Sequence, residues 1–179
     1  MACLFVWGMI MNLNEIATSL EQFPTVLRAL LAGQSAEMLQ RCPAEGEWSV
    51  NEVIGHLIEA DRDAFMGRVV GIVAGDGEIA PVSPTAPVAE KGYRVWEFEV
   101  LMAAFEAQRV ISAEFIRSLD PDTLSKTASY AKYGTFTAAD FVAEWPYHDL
   151  VHLKQIADNL QTQYIPPMST TMRTALGVS

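Results

Sequence analysis

The sequence predicts an all-α domain, a four-helix bundle with one long crossover. Three observations carry this. Apolar residues recur at helical steps in four long stretches. No stretch alternates with period two for long enough to mark a sheet. One Gly- and Pro-rich connection is too long for a turn between neighbouring helices, and bundles do accommodate such a crossover. With 179 residues, half of them apolar, the chain can bury one sizeable core.

The first helix is expected over Leu13 to Leu31, with Ile16, Leu20, Phe23, Leu27 and Leu30/Leu31 along one face. Pro24 lies inside it and predicts a bend. Gly33 ends it, and Ser35 to Arg41 reads as a short extra turn. Before it stands "MACLFVWGMIM", which is too short to span a bilayer. A secretory signal needs a basic leading region, and the first Lys or Arg is Arg28. Residues 1–12 are therefore either an upstream extension, since Met9 and Met11 could both serve as starts, or an apolar arm packing on the body or a second subunit.

"GEWSVNEVIGHLIEADRDAF" opens the second helix. Ser49 and Glu52 have the spacing of a capping box, and Trp48 can staple onto Val53. Val50, Val53, Ile54, Leu57, Phe65 and Val69 form its apolar stripe, with His56 in the second turn. Gly71 to Gly92, carrying Pro81, Pro84 and Pro87, is the long connection, either mobile or functional. The third helix is expected over Val95 to Leu119, with Phe98, Leu101, Met102, Phe105, Val110 and Phe115 toward the core and Pro121 near its end. "SKTASYAKYGTF" reads as a loop with a short extended piece. The last helix runs from Ala138 to Leu160, so the bundle takes residues 13–162 and leaves a Pro- and Thr-rich tail, 163–179.

Composition excludes some functions. With 12 Lys+Arg against 22 Asp+Glu the chain lacks the basic face that a nucleic-acid partner requires. Cys3 and Cys42 have neither metal-ligand spacing nor a disulfide framework, which points to a reducing, cytoplasmic setting and no membrane. Cys42, just before Pro43, is either a reactive thiol or a small part-buried residue.

His148 and His152 are two of only three histidines and stand four apart, so their imidazoles share one helix face. A catalytic divalent ion usually takes three protein ligands and keeps one position open. His56 could supply the third from a facing helix. The competing readings are a surface pair arising by chance and hydrogen-bonded core histidines. Pro146 either bends the fourth helix just before His148 or opens it at the favoured first position. "HDLVH" also approximates the zinc-protease HExxH, but Asp149 is one methylene shorter than Glu, and neither His nor Glu follows His152.

"PAEGEWSVNEVIGHLIEADRD" together with "YHDLVHLKQI" and the early "FPTVLRALLAG" resembles the DinB-like superfamily, over roughly Leu13 to Leu160. The resemblance implies a bundle of up-down-down-up topology, often a homodimer. It also implies a divalent metal on one histidine of the second helix and two of the fourth, here His56, His148 and His152. Relatives include S-transferases and isomerases that use mycothiol or bacillithiol, and proteins linked to stress or DNA damage. The apolar extension, the Pro-rich insertion and Pro146 depart from the pattern and bear on the cavity more than on the metal.

The function expected is thus a metal-dependent enzyme acting on a small-molecule substrate with a low-molecular-weight thiol, of S-transferase or isomerase type. An open metal position favours thiolate over thiol. Glu59, three residues after His56, and Glu144, four before His148, are the carboxylates spaced to orient an imidazole; Asp63 and Asp149 are weaker candidates. Three imidazoles suit Zn, Ni, Fe or Cu. The alternatives are a non-catalytic metal- or ligand-binding stress-response module and a structural dimer without metal.

Overall fold

The computed structural model describes residues 12–178. Helix α1 spans Leu13–Leu31 and α2 spans Ala36–Gln40. Helix α3, Val50–Glu59, runs through a π-helical segment, Ala60–Met66, into α4, Gly67–Ala74. Helix α5 (Ala86–Lys91) and a 3-10 turn (Tyr93–Val95) precede α6, Phe98–Ser118, and α7, Pro121–Ser125. Strands β1 (Thr127–Tyr130) and β2 (Gly134–Thr137) lead to α8, Ala138–Gln163, and α9, Thr170–Leu176.

Side-chain pairs fix the directions of the four long rods. Glu21 meets Arg117 while Arg28 meets Glu99 and Glu106, so α1 and α6 are antiparallel. Asn51 caps carbonyls of Arg94 and Trp96 just before α6, and Asp61 meets Arg109 and Ser112 further along. The α3–α4 rod and α6 therefore run parallel. Asn159, late in α8, bonds the Trp48 carbonyl, and Arg68 lies over Phe141 at its start, so α8 opposes α3–α4. The result is an up-down-down-up four-helix bundle. Two parallel rods oblige the chain to return along a length of about 37 Å, and residues 75–97 do this.

That connection is not loose. Gly75 and Gly92, at φ 86° and 61°, close α4 and α5 in the left-handed region that glycine tolerates. Between them Ile79 N–H donates to the Ser129 carbonyl and Val88 is buried, and Tyr93, just after Gly92, is buried in the core as well.

The boundaries of α1 agree with the periodicity, and Asn12 caps it through Asn14 and Glu15 amides. The remaining residues expected to form the N-terminal extension lie outside the described ones. Both hydrogen bonds of the Ser49–Glu52 capping box are present. Pro146 is interior to α8, whose N-cap is Thr137 in a second capping box with Asp140.

Three expectations need correction. The stretch "SKTASYAKYGTF" holds a two-stranded antiparallel hairpin, in register Thr127↔Thr137 to Tyr130↔Gly134. Four-residue strands are too short to show alternation. The tail contains α9, capped by Ser169. Val110, expected in the core, is 52% exposed, and the neighbouring Arg109 is 1% exposed instead. The inward face of α6 continues the regular helical step from Phe105 to Arg109 and on to Ser112 and Ala113, and a guanidinium can be buried here. Asp149 grips it with two bonds of 2.6 Å, Asp61 lies 3.0 Å from its Nε, and the rings of Phe23 and Phe105 flank it. Trp145 Nε1 and the Ser112 hydroxyl donate to Asp61. This charged layer separates two apolar clusters, one around Leu27, Ile54 and Phe105, the other around Leu20, Val69 and Trp145.

Candidate metal centre

His56 projects from α3 and His148 and His152 from the middle of α8, and the antiparallel packing of these rods sets them level. Their Nε2 atoms converge: His148 Nε2 lies 3.3 Å from that of His56 and 3.1 Å from that of His152. Two imidazoles on one ion at about 2.05 Å stand about 2.9 Å apart at a right angle and about 3.3 Å apart at the tetrahedral angle. The observed separations fall in that interval. Among the described residues, this is the one cluster of His, Cys, Asp and Glu whose ligand atoms could hold a metal ion.

The remaining ring nitrogens decide which form the imidazoles take. His56 Nδ1 is 3.2 Å from the carbonyl oxygen of Pro84, and His152 Nδ1 is 2.7 Å from Oε1 of Gln155. Carbonyl oxygens only accept, so both Nδ1 atoms carry the hydrogen and both Nε2 atoms present bare lone pairs to the centre. His148 Nδ1 is buried and has no partner among the described residues. Burial, reinforced by the charge of His152, pushes the His56 imidazole down to about 4. Burial and the neighbouring imidazoles take His148 to about 3, and His152 is lowered by burial as well. All three are neutral near pH 7, the form that ligates. Converging lone pairs without a cation between them repel, so the donor set fits a bound divalent ion.

The carboxylates expected to orient the rings are placed differently. Glu59 is buried and accepts from the Tyr93 hydroxyl, from Lys91 at 2.7 Å and from Arg62 at 2.5 Å. It therefore fastens the crossover to the π-helical segment, while His56 takes its partner from the crossover backbone. Glu144 lines the same cleft as His148 without bonding its Nδ1. Asp63 pairs with Arg62, and Asp149 faces Arg109, away from the role of a protease base.

The crossover also sits close over the site. Tyr93 is 2% exposed, and a Cβ on Gly55 would overlap its ring, so glycine beside His56 admits the crossover to the helix surface. Trp48 flanks His56 with ring centroids 4.9 Å apart. His56 and His148 open onto a cleft of about 220 Å³ roofed by Pro84 and Pro87 and bounded by Glu144 and Arg68. Below it, Leu57, Asp61, Phe65 and Val69 are all buried at strict four-residue steps. Such steps would drift about 120° on a regular α-helix, and the wider π turn absorbs the drift.

Sequence reasoning missed Gln155, Pro84 and the Arg109 layer. Gln155 was findable, being three residues after His152. A backbone carbonyl in an irregular segment carries no signal.

The family model describing the DinB superfamily matches residues 19–156. A protein of Oceanobacillus iheyensis, provisionally named a metal-dependent hydrolase, is 22% identical over 144 residues, 80% of this chain and 83% of its own. A similarly named protein of Geobacillus thermodenitrificans is 25% identical over 108 residues, covering 60% of this chain and 61% of its own length. Among solved structures, YfiT from Bacillus subtilis, described as a probable metal-dependent hydrolase with an unusual four-helix bundle topology, superposes with a TM-score of 0.72 at 15% identity. That match covers 96% of this chain and 93% of YfiT. The four-helix bundle protein TT2238 gives a TM-score of 0.58 at 18% identity over 82% of this chain and 99% of its own.

Proposed function

We propose, on the premise that this chain belongs to the DinB superfamily, that it is a metal-dependent hydrolase of a small molecule. The observation that carries the reading is the convergence of three imidazole Nε2 atoms at the end of a cleft. A divalent cation held by His56, His148 and His152 supplies Lewis-acid polarisation and lowers the pKa of water.

The chain's own groups would do the rest. The Pro84 carbonyl and Gln155 hold two rings in the ligating tautomer. The crossover roof, through Pro84 and Pro87, limits water on one side of the cleft. Glu144 is the lining carboxylate with neither an ion pair nor a hydrogen bond among the described residues, since Glu59 and Asp63 are engaged by Arg62 and Lys91. It is therefore the group placed to accept a proton from water at the cleft mouth.

The S-transferase or isomerase chemistry with a low-molecular-weight thiol uses the same imidazoles and differs in the nucleophile. Among the described residues no cysteine lines the cleft, so a thiol would arrive as a cofactor. The test is metal analysis of the purified protein and of His152→Ala, followed by turnover of ester, amide and electrophile panels with and without added thiol. Hydrolysis products that need metal and no thiol support the proposal. Thiol adducts formed above the background rate transfer it to the S-transferase class. If no divalent ion is retained and His152→Ala alters neither metal content nor melting with chelator, the site reading fails.

A further inference from the structure

Arg68 lines the cleft and has no role in the chemistry above. Acidic residues outnumber basic ones 22 to 12, yet among the described residues no carboxylate is in ion-pair contact with Arg68. Its Nε is buried and makes no hydrogen bond. The guanidinium lies over the ring of Phe141, 5.3 Å from the centroid, which holds its plane without satisfying its donors.

Arg68 borders three cavities, one of them lined by Asp63, Asp76 and Glu78, and the other two bear on the imidazole centre. Of these two, one is the cleft onto which His56 and His148 open. The other, about 370 Å³, lies under the hairpin and is walled by Tyr130, Tyr133, Phe136 and Phe141. Tyr130 and Tyr133 are stacked, with centroids 5.5 Å apart and planes 8° from parallel. Arg68 and Glu144 line both spaces and do not pair with each other. The two cavities therefore adjoin at Arg68 and Glu144, with an aromatic chamber on one side of the guanidinium and the imidazole centre on the other.

The geometry points to Arg68 as the anchor for a carboxylate of the substrate, whose flat apolar body lies in the hairpin chamber and whose reacting bond reaches the imidazoles. A planar fork with donors left over matches a carboxylate in two-point contact. A phosphate monoester, near two negative charges, ordinarily needs more than one cation, and here Glu144 and Asp140 stand nearby. A singly charged anion is the better match. The assignment rests on the hydrolase reading for what happens after binding; the anion site itself does not need it.

The experiment uses the full chain, metal-stripped and zinc-loaded, titrated calorimetrically with 3-phenylpropionate and with its neutral amide. The metal-stripped protein is expected to bind the carboxylate, and Arg68→Gln to weaken it about tenfold or more. Arg68→Lys should weaken it less, and the amide should not distinguish Arg68→Gln from the parent. Melting curves and zinc stoichiometry of the variants establish that the fold and centre are intact. Equal carboxylate affinity in the parent and Arg68→Gln would overturn the assignment, as would binding that needs zinc and ignores residue 68, because the anion would then sit on the metal. A second arm compares hydrolysis of a carboxylate-bearing aryl ester with its neutral analogue. The kcat/KM ratio should fall about tenfold in Arg68→Gln. If neither ester turns over, the hydrolase reading fails while the titration still decides the anion site.

Discussion

Gly55→Ala is the substitution that most directly tests how the crossover is seated. The added Cβ would overlap the Tyr93 ring, and a whole aromatic side chain cannot shift by tenths of an ångström to clear it. Displacing the ring exposes a side chain that is now 2% accessible, worth about 1.5–3 kcal/mol of burial. It also breaks the hydroxyl bond to the Glu59 carboxylate, worth about 1.5–3 kcal/mol as a charge-assisted bond. Relaxation returns part of this, so a loss of about 3–5 kcal/mol is expected. For a chain of this size that is a fall in Tm of about 6–20 °C, readable by circular dichroism or calorimetry. Gly55→Ala with Tyr93→Ala should be far less destabilised than the two single changes added together, because the second removes what the first collides with. Additive losses, or a Tm for Gly55→Ala within a degree of the parent, would refute the packing argument.

Three further outcomes follow from the site and its support. Gln155→Leu removes the acceptor from His152 Nδ1 and should weaken metal binding about 10- to 100-fold in a chelator competition while leaving Tm of the metal-free protein nearly unchanged. Asp149→Asn removes one of two carboxylates that hold Arg109; Asp61 remains, so the cost should be about 2 kcal/mol by denaturant unfolding, below the range for a fully broken buried pair. Acid titration of the metal-free protein has two opposed contributions. His56 and His148 have folded values below their unfolded ones, so the unfolded chain binds protons first and stability falls as pH drops below 6.5, by about 2 kcal/mol for each by pH 5. Asp61 is raised by burial to about 7, so its ionisation disfavours the fold at neutral pH and its protonation restores stability between pH 7 and 4. Asp61→Asn should therefore steepen the acid loss seen in stability-versus-pH curves.

Regular, local features were legible in the chain. The limits of α1, the Ser49–Glu52 start of α3 and the pairing of His148 with His152 rest on spacings of three and four, which a linear sequence displays. What was hidden depends on contacts between distant segments. The burial of Arg109 carried no local signal because its two carboxylate partners come from other rods. The hairpin was hidden by its brevity, and the π-helical segment by resembling an ordinary helix at every single step. Glu59 had the right spacing to serve His56, but Lys91 and Tyr93, more than thirty residues on, claim it. The helical histidines could be read; the backbone oxygen of Pro84 that holds one of them could not.

The parallel run of α3–α4 and α6 has a consequence for how such a protein can change. The three histidines are tied to packed rods, where most substitutions harm folding. The roof is a return path whose length is imposed by topology and exceeded by the available chain, so it has slack. The exposed positions of residues 76–87 can be rewritten so long as Gly75 and Gly92 turn the chain, Ile79 stays bonded to Ser129, the Pro84 carbonyl stays on His56 and Tyr93 docks on Gly55. The imidazole centre can thus stay fixed while its ceiling changes, because the two are built from different parts of the chain.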